Sequence, residues 1–279
     1  MRKEIDAGSL KPLLKRVRET RPLVHCITNV VTVNDCANML LAVGAAPIMA
    51  CAEEEVAEIA AKADALCVNI GTLNRTELEA MTLAAQAARS AGRPVTLDPV
   101  GAGATAFRTE SSARLLESKN FTLVRGNLSE IRALAGFAGE TRGTDAVAAL
   151  DSDTLDDAVR VARLLAQKLG TLIGVSGAVD IVTDGERTAL LRNGHPIMTS
   201  VTGTGCMLSA LTAAFLGANR ENPFEAALAA FAVMGVCGEM AFASLAPNEG
   251  PQAWRVRLLD AVALLDPDVW ERQIRIETL

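Results

Sequence analysis

Short apolar segments alternate with longer amphipathic segments along most of the chain, and this alternation constrains the fold more than any other feature. The segments predicted to be strands are residues 46–50, 65–70, 94–99, 121–125 and 172–175. Residues 154–169 show the helical pattern, because apolar residues recur there every three or four positions until Gly170 ends the segment. Strands that alternate with helices favour right-handed βαβ units and a mainly parallel sheet with helices on both faces.

The later part of the pattern predicts a different local structure, an antiparallel hairpin at one edge of the sheet. Two apolar segments, residues 178–184 and 187–191, are joined through an Asp-Gly dipeptide typical of tight hairpin turns. Residues 142–153 are the most loop-like stretch, but they are too few to mark a domain boundary. We therefore predict that residues 1–279 form a single three-layer α/β domain.

Composition argues against several classes of protein. The formal net charge is −6 and the basic residues are dispersed, so no electrostatic surface suited to nucleic acid is expected. The most apolar stretch, residues 226–245, contains Glu239 and is predicted to be a buried helix rather than a membrane span. The six cysteines form no CxxC pair, which favours free thiols and a cytoplasmic location.

A glycine-rich turn, Val-Thr-Gly-Thr-Gly-Cys at residues 201–206, precedes an apolar segment typical of a helix. Gly203 and Gly205 let the backbone turn tightly, and the unpaired amides at a helix N-terminus attract anions. The turn therefore predicts an anion-binding site. The alternative is an ordinary helix start in which glycine only relieves crowding, and the turn alone does not decide between the two.

Polar residues also follow three of the predicted strands. Asp98 ends the third strand, where side chains face the ligand crevice of an α/β sheet, although capping of the next turn is an alternative role. Glu130 lies three residues after Asn127, a spacing that also predicts a capping box. Because Mg²⁺ keeps several waters and needs only one or two carboxylates, Asp98 and Glu130 would suffice to position it. Ser176 follows the fifth strand and suits a nucleotide at close range.

Taken together, these loops resemble those of the ribokinase-like superfamily, whose members carry a late G-[AT]-G-D turn that ends in a catalytic aspartate. Cys206 stands where that aspartate would be, and this exchange makes the chain similar to the hydroxyethylthiazole kinase family of thiamine salvage. Further segments that match the family, in order, are residues 22–34, 44–49, 66–72, 96–103 and 124–130. The resemblance implies a ribokinase-like fold and a kinase that phosphorylates a thiazole alcohol with Mg-ATP.

The resemblance also implies where the thiazole alcohol binds. Met49 and Gly203 would bind it directly, and Asn29 and Gly71 would lie close to the same pocket. Members of the family are trimers with substrate pockets between subunits, so we expect a homotrimer with shared active sites.

The glycine-rich turn would supply the reacting centre. Cys206 would lie beside the substrate hydroxyl, and the amides of Gly203, Thr204, Gly205 and Cys206 would surround the transferred phosphoryl group. A helix N-terminus lowers the pKa of a thiol, so we expect Cys206 to be partly ionised at neutral pH.

The resemblance places the nucleotide and its metal on the neighbouring loops. Arg125 and Ser176 would contact ATP, and Asp98 and Glu130 would hold Mg²⁺. His25 is the other candidate base, but without a paired acid we interpret it as a structural histidine.

Three alternative functions stay open at this stage. An ATP-dependent NAD(P)H-hydrate dehydratase would need an aspartate where Cys206 stands. A hydroxymethylpyrimidine kinase fits the early segments, residues 22–34 and 44–49, poorly. A non-catalytic sensor of thiazole or ATP would have little use for both Asp98 and Glu130.

Overall fold

The computed structural model describes residues 6–136 and 152–279. Nine strands are found in these ranges: β1 (Leu23–Ile27), β2 (Ala46–Ile48), β3 (Ala65–Asn69), β4 (Val95–Asp98), β5 (Leu123–Asn127), β6 (Leu172–Ser176), β7 (Asp180–Thr183), β8 (Thr188–Leu191) and β9 (Ile276–Thr278). They form one sheet in the order β2-β1-β3-β4-β5-β6-β7-β8-β9. Strands β1 to β6 pair in parallel, whereas β7, β8 and β9 each pair antiparallel with the strand before them in this order.

Helices cover both faces of this sheet. In the described ranges they are α1 (Ala7–Thr20), α2 (Val33–Val43), α3 (Val56–Lys62), α4 (Arg75–Ser90), α5 (Ala106–Glu117), α6 (Leu128–Ala135), α7 (Ser152–Leu169), α8 (Thr204–Ala218), α9 (Pro223–Ala243), α10 (Pro251–Ala263) and α11 (Pro267–Gln273). One core cluster joins the sheet to α1, α2, α8, α9 and α10, and a second joins it to α3, α4, α6 and α7. The predicted three-layer α/β architecture is therefore confirmed.

The predicted edge hairpin is also confirmed, and its turn has a local cause. The carboxylate of Asp184 accepts hydrogen bonds from the backbone amides of Glu186 (3.0 Å) and Arg187 (2.7 Å). Gly185 adopts φ +94°, which favours glycine. Strand β9 pairs with β8 and extends this antiparallel edge of the sheet.

Some predicted boundaries shift. Helix α7 begins at Ser152, two residues before the predicted helical segment at 154–169. Of the loop-like stretch at 142–153, residues 142–151 lie outside the described residues. The C-terminal residues form α10, α11 and β9.

Helix α9 has the length and apolar composition of a membrane span, yet it is a core helix. It is 21 residues long, and 78% of its most apolar window is buried inside the protein. It packs between α1, α8 and α10, as the prediction of a buried helix requires.

Candidate active site

The candidate active site lies where the parallel strands end. Because carboxyl ends of parallel strands meet at one edge of a sheet, residues far apart in the chain become neighbours there. Asn69 at the end of β3 lies opposite Asp98 at the end of β4, and Asn127 at the end of β5 lies opposite Ser176 at the end of β6. The glycine-rich turn before α8 adjoins the same edge.

The turn has the geometry of an anion-binding helix start. Gly203 is the N-cap of α8 at φ +90°, and no side chain caps the helix there. The amide of Met207 bonds to the Gly203 carbonyl at 2.8 Å, so the helical ladder begins only at that residue. The amides before it have no acceptor within the helix and are available to a ligand.

Both glycines are also required by close contacts. A Cβ added at Gly203 would lie 2.5 Å from Cγ2 of Thr32, and one at Gly205 would lie 2.5 Å from Nη1 of Arg125. The turn therefore packs against the loop before α2 on one side and against the Arg125 guanidinium on the other.

A network of amides surrounds the sulfur of Cys206. Its Sγ accepts hydrogen bonds from Nδ2 of Asn29 and from Nδ2 of Asn69, each at 3.2 Å. Nδ2 of Asn69 also donates to Oδ2 of Asp98 at 2.9 Å, and the backbone amide of Gly71 donates to Oδ1 of Asn69 at 2.9 Å. Four residues predicted from sequence, Asn29, Gly71, Asp98 and Cys206, are thus brought together by one residue that the sequence analysis missed. The available signal was a polar side chain at the end of a buried strand.

The environment of Cys206 contradicts the expected ionisation of its thiol. Burial raises the pKa of Cys206 above its ordinary value, and the negative charge of Asp98 raises it further. Hydrogen bonds from neighbouring side chains and the charge of Arg125 oppose this only in part. The raised pKa disagrees with the expectation of a partly ionised thiol, because burial and the charge of Asp98 disfavour the thiolate.

Asp98 is fully buried, and only one of its two carboxylate oxygens has hydrogen-bond partners among the described residues. Its Oδ2 accepts hydrogen bonds from Asn69 and from Oγ of Ser209 (2.8 Å), and Nη1 of Arg125 lies 3.6 Å away. Its Oδ1 is buried and has no hydrogen-bond partner among the described residues. Burial raises the pKa of Asp98 in spite of Arg125. A buried carboxylate oxygen without a partner is suited to a cation.

Glu130 has the first of the two roles that the sequence suggested as alternatives, the capping of α6. It forms the capping box of α6, in which its Oε2 accepts from the Asn127 amide at 2.8 Å. Its Oε1 accepts from the amide of Gly101, in the loop after β4, also at 2.8 Å. Burial, with the charge of Asp98 second, raises the pKa of Glu130 to about 7. Two interacting buried carboxylates fit Mg²⁺. The positive charge of the ion would favour the ionised form of both carboxylates over the protonated form.

No group of three or more metal-ligating side chains occurs among residues 6–136 and 152–279.

Arg125 and Ser176, the residues predicted to contact the nucleotide, are neighbours. Nη2 of Arg125 donates to Oγ of Ser176, and the guanidinium is nearly buried between Asp98 and Gly205. Nε of Arg125 is buried and has no partner among the described residues.

Two further predictions concern residues near β1 and β2. His25 is buried, its Nε2 lies 2.8 Å from the carbonyl oxygen of Ala50, and burial lowers its pKa. A buried neutral histidine bonded to the backbone agrees with the structural interpretation. Met49 follows β2 and is partly buried against the same core cluster that Cys206 packs against.

The three-layer α/β architecture, with a glycine-rich turn at the carboxyl ends of the parallel strands, is the ribokinase-like fold. The solved pyridoxal kinase from Staphylococcus aureus in complex with ADP shares this fold, with a TM-score of 0.61 and 16% identity over 92% of this chain and 97% of that one. The model of the hydroxyethylthiazole kinase family matches residues 14–268. The chain belongs to the hydroxyethylthiazole kinase family.

Two members of the family show how far the similarity extends. The hydroxyethylthiazole kinase of Clostridium acetobutylicum is 46% identical over 271 residues, which cover 96% of this chain and 99% of the relative. The solved hydroxyethylthiazole kinase from Pyrococcus horikoshii OT3 has a TM-score of 0.87 and 39% identity, covering 98% and 99% of the two chains. The resemblance predicted from sequence motifs is confirmed over nearly the whole chain.

Proposed function

We propose that this kinase transfers the γ-phosphoryl group of Mg-ATP to the hydroxyl of 4-methyl-5-(2-hydroxyethyl)thiazole, giving the thiazole phosphate and ADP in thiamine salvage. The observation that carries the proposal is the 46% identity to a hydroxyethylthiazole kinase over nearly the whole length of both chains. The site geometry supports a phosphoryl transfer, because a helix start with free amides lies beside two coupled carboxylates.

The acceptor pocket in this proposal is formed by Met49 and Gly203, with Asn29 and Gly71 beside them. Asn29 and Gly71 are both hydrogen-bonded to Oδ1 of Asn69, which supports a common pocket. In this arrangement the acceptor hydroxyl lies next to Cys206.

The amides of Gly203, Thr204, Gly205 and Cys206 are proposed to surround the transferred phosphoryl group. Phosphoryl transfer is catalysed mainly by positioning and by stabilising charge on the phosphoryl oxygens. Backbone amides held by a helix need no reorganisation when that charge develops.

Arg125 and Ser176 are proposed to contact the nucleotide, and Asp98 and Glu130 to hold Mg²⁺. The partnerless Oδ1 of Asp98 and the coupling of the two carboxylates support this assignment. Bound Mg²⁺ would neutralise negative charge on the phosphates. Arg125 is placed to add a second positive charge beside Asp98.

Cys206 is proposed to orient the acceptor hydroxyl rather than to act as a strong base. Its sulfur already accepts two amide hydrogen bonds, and its pKa is raised. In a loose transition state the hydroxyl proton is lost late, so charge stabilisation matters more than a base.

We propose a cytoplasmic homotrimer with active sites between subunits. Three apolar side chains of α2 and the loop before it are exposed, with relative accessibilities of 71% for Val30, 63% for Val31 and 58% for Leu41. Strand β2, which leads to Met49, is the last strand on that side of the sheet. A neighbouring subunit would cover this apolar surface. Light scattering coupled to an activity assay should give a trimer, and a fully active monomer would refute this assembly.

Mass analysis of products from purified protein, Mg-ATP and the free thiazole alcohol tests the proposed reaction. Parallel incubations with hydroxymethylpyrimidine and with NADPH hydrate test the other two reactions of the fold. We expect thiazole phosphate as the main product. Thiazole binding in calorimetry without any product would instead identify a sensor.

A further inference from the structure

The side-chain amide of Asn69 is buried at the centre of the candidate active site, with 1% of the residue exposed. Its Nδ2 donates to Oδ2 of Asp98 at 2.9 Å and to Sγ of Cys206 at 3.2 Å. Its Oδ1 accepts from the Gly71 backbone amide at 2.9 Å and from Nδ2 of Asn29 at 3.0 Å. An asparagine amide has two donor hydrogens and two acceptor lone pairs, so every capacity of Asn69 is in use.

These four bonds connect the two sides of the proposed reaction. Asp98 belongs to the side that holds the metal and the nucleotide. Cys206, Asn29 and Gly71 belong to the side that holds the acceptor alcohol. Rotation of the Asn69 amide would break several of these bonds at once, so the side chain is held in one orientation.

We infer that Asn69 is a positioning residue of this kinase, which sets the separation of Asp98 and Cys206 and thereby aligns the phosphoryl donor with the acceptor hydroxyl. The inference rests on the proposed function. All four partners of Asn69 are protein groups of the site, so Asn69 acts through them. Since a displacement of 1 Å costs on the order of 10²-fold in rate, a residue that only positions others still has a large effect.

Asn69→Asp is the first test, because aspartate has nearly the same size and keeps both acceptor bonds. It loses the donors to Asp98 and Cys206. We expect kcat to fall about 10²-fold, with KM for both substrates changed less than about threefold, because ground-state binding groups are retained. Asn69→Ala, which adds no charge, should likewise lower kcat and leave KM nearly unchanged. Near wild-type kcat in either folded variant would overturn the inference.

Asn219 offers a matched control for the loss of a buried amide. It lies at the opposite end of α8, and its Nδ2 donates to the carbonyls of Leu13 (3.3 Å) and Phe215 (3.0 Å). Asn219→Ala should lower the melting temperature but leave kcat within about twofold of wild type. An equal loss of kcat in Asn219→Ala and Asn69→Ala would show general loosening of the fold and would refute a positioning role.

A double-mutant cycle with Cys206→Ala tests the connection itself. Asn69 acts partly through the sulfur. The fold-loss of kcat caused by Asn69→Ala should therefore be smaller in the Cys206→Ala background than in wild type, by a factor of about three or more. An equal effect in both backgrounds would overturn the connection. Wild-type protein that makes no thiazole phosphate would refute the proposed function, whereas active wild type with an unaffected Asn69→Asp variant would refute only this inference.

Discussion

The parallel and antiparallel halves of the sheet differ in whether their buried polar side-chain atoms have hydrogen-bond partners. At the carboxyl ends of the parallel strands, Asp98 and Arg125 are buried with an unpaired atom each, and burial raises the pKa of Asp98. In the antiparallel half, the buried hydroxyls of Thr183 and Thr188 bond to each other at 2.9 Å, and no side chain of β7, β8 or β9 has a buried atom without a partner.

The contrast teaches where the fold tolerates unfavourable electrostatics. A buried polar group without a partner destabilises the folded state, so it persists where a ligand completes its bonds. The parallel edge has this character. In the antiparallel half, burial also raises the pKa of Asp180, to about 7, but its Oδ1 accepts a hydrogen bond from the Gly177 amide at 2.9 Å. Three predictions compare matched changes in the two halves, and a fourth concerns Cys206 alone.

The largest effect is expected for Asp98→Asn, which removes the proposed metal anchor. Turnover should fall on the order of 10³-fold, while thiazole affinity changes little, because the metal acts mainly on the transition state. Asp184→Asn, in the turn between β7 and β8, should leave turnover unchanged. Calorimetry of thiazole binding and steady-state kinetics measure the two quantities, and normal turnover in Asp98→Asn would remove the metal assignment.

Gly203→Ala should have the next largest effect, and Gly185 supplies its control. Both glycines have positive φ, +90° and +94°, and both have a side chain within 2.7 Å of an added Cβ. Alanine should destabilise each by about 1–2 kcal/mol. Only Gly203→Ala should also lower turnover, about 10²-fold, because the new methyl displaces Thr32, which bonds Asn29. Equal turnover in the two variants would show that the glycine turn is only a helix start without a role in catalysis.

The third prediction concerns the pH dependence of stability in metal-free protein. The folded-state pKa of Glu130 is raised from 4.5 to about 7, so between these values the folded state binds more protons than the unfolded state. Stability should therefore fall as pH rises through this window, with a contribution of about 3 kcal/mol at most at about 1.4 kcal/mol per pKa unit. Denaturant titrations in the presence of a chelator measure the free energy of unfolding at each pH. In this window it should change less with pH for Glu130→Gln than for wild type.

Glu277→Gln on β9 is the control for this titration. Glu277 pairs with Arg192 at 2.8 Å, and both side chains are about half exposed. Such surface pairs contribute little to stability, so the slope should match wild type. A wild-type slope in Glu130→Gln would contradict the raised pKa.

The smallest effect is expected for Cys206→Ala, with turnover reduced about tenfold but not abolished, because charge stabilisation outweighs proton removal. Cys206→Asp should be tolerated, since the amides of Asn29 and Asn69 can donate to a carboxylate as they do to the sulfur. Loss of all activity in both variants would show that the sulfur itself is chemically required and would contradict this mechanism. Single-turnover kinetics with a mass measurement of the protein would detect a phosphorylated cysteine.

Much of the fold could be predicted because its determinants are local. The period of the apolar residues decides strand or helix, Asp184 forms the hairpin turn with its own neighbours, and Asn127 and Glu130 form a capping box three residues apart. The start of α8 at the glycine turn follows from the same short-range rules. Each of these interactions spans a few residues, so the sequence alone contains it.

The site depended on contacts between distant segments. Asn69 is 137 positions from Cys206 and 29 from Asp98, and neither separation has a sequence pattern. The raised pKa of Cys206 likewise reflects burial, which a helix N-terminus in isolation does not reveal. The sequence by itself thus determined the elements, the family and most of the residues at the parallel edge. Only the tertiary structure decided which of them touch and how they ionise, because desolvation and long-range hydrogen bonds arise when the strands assemble.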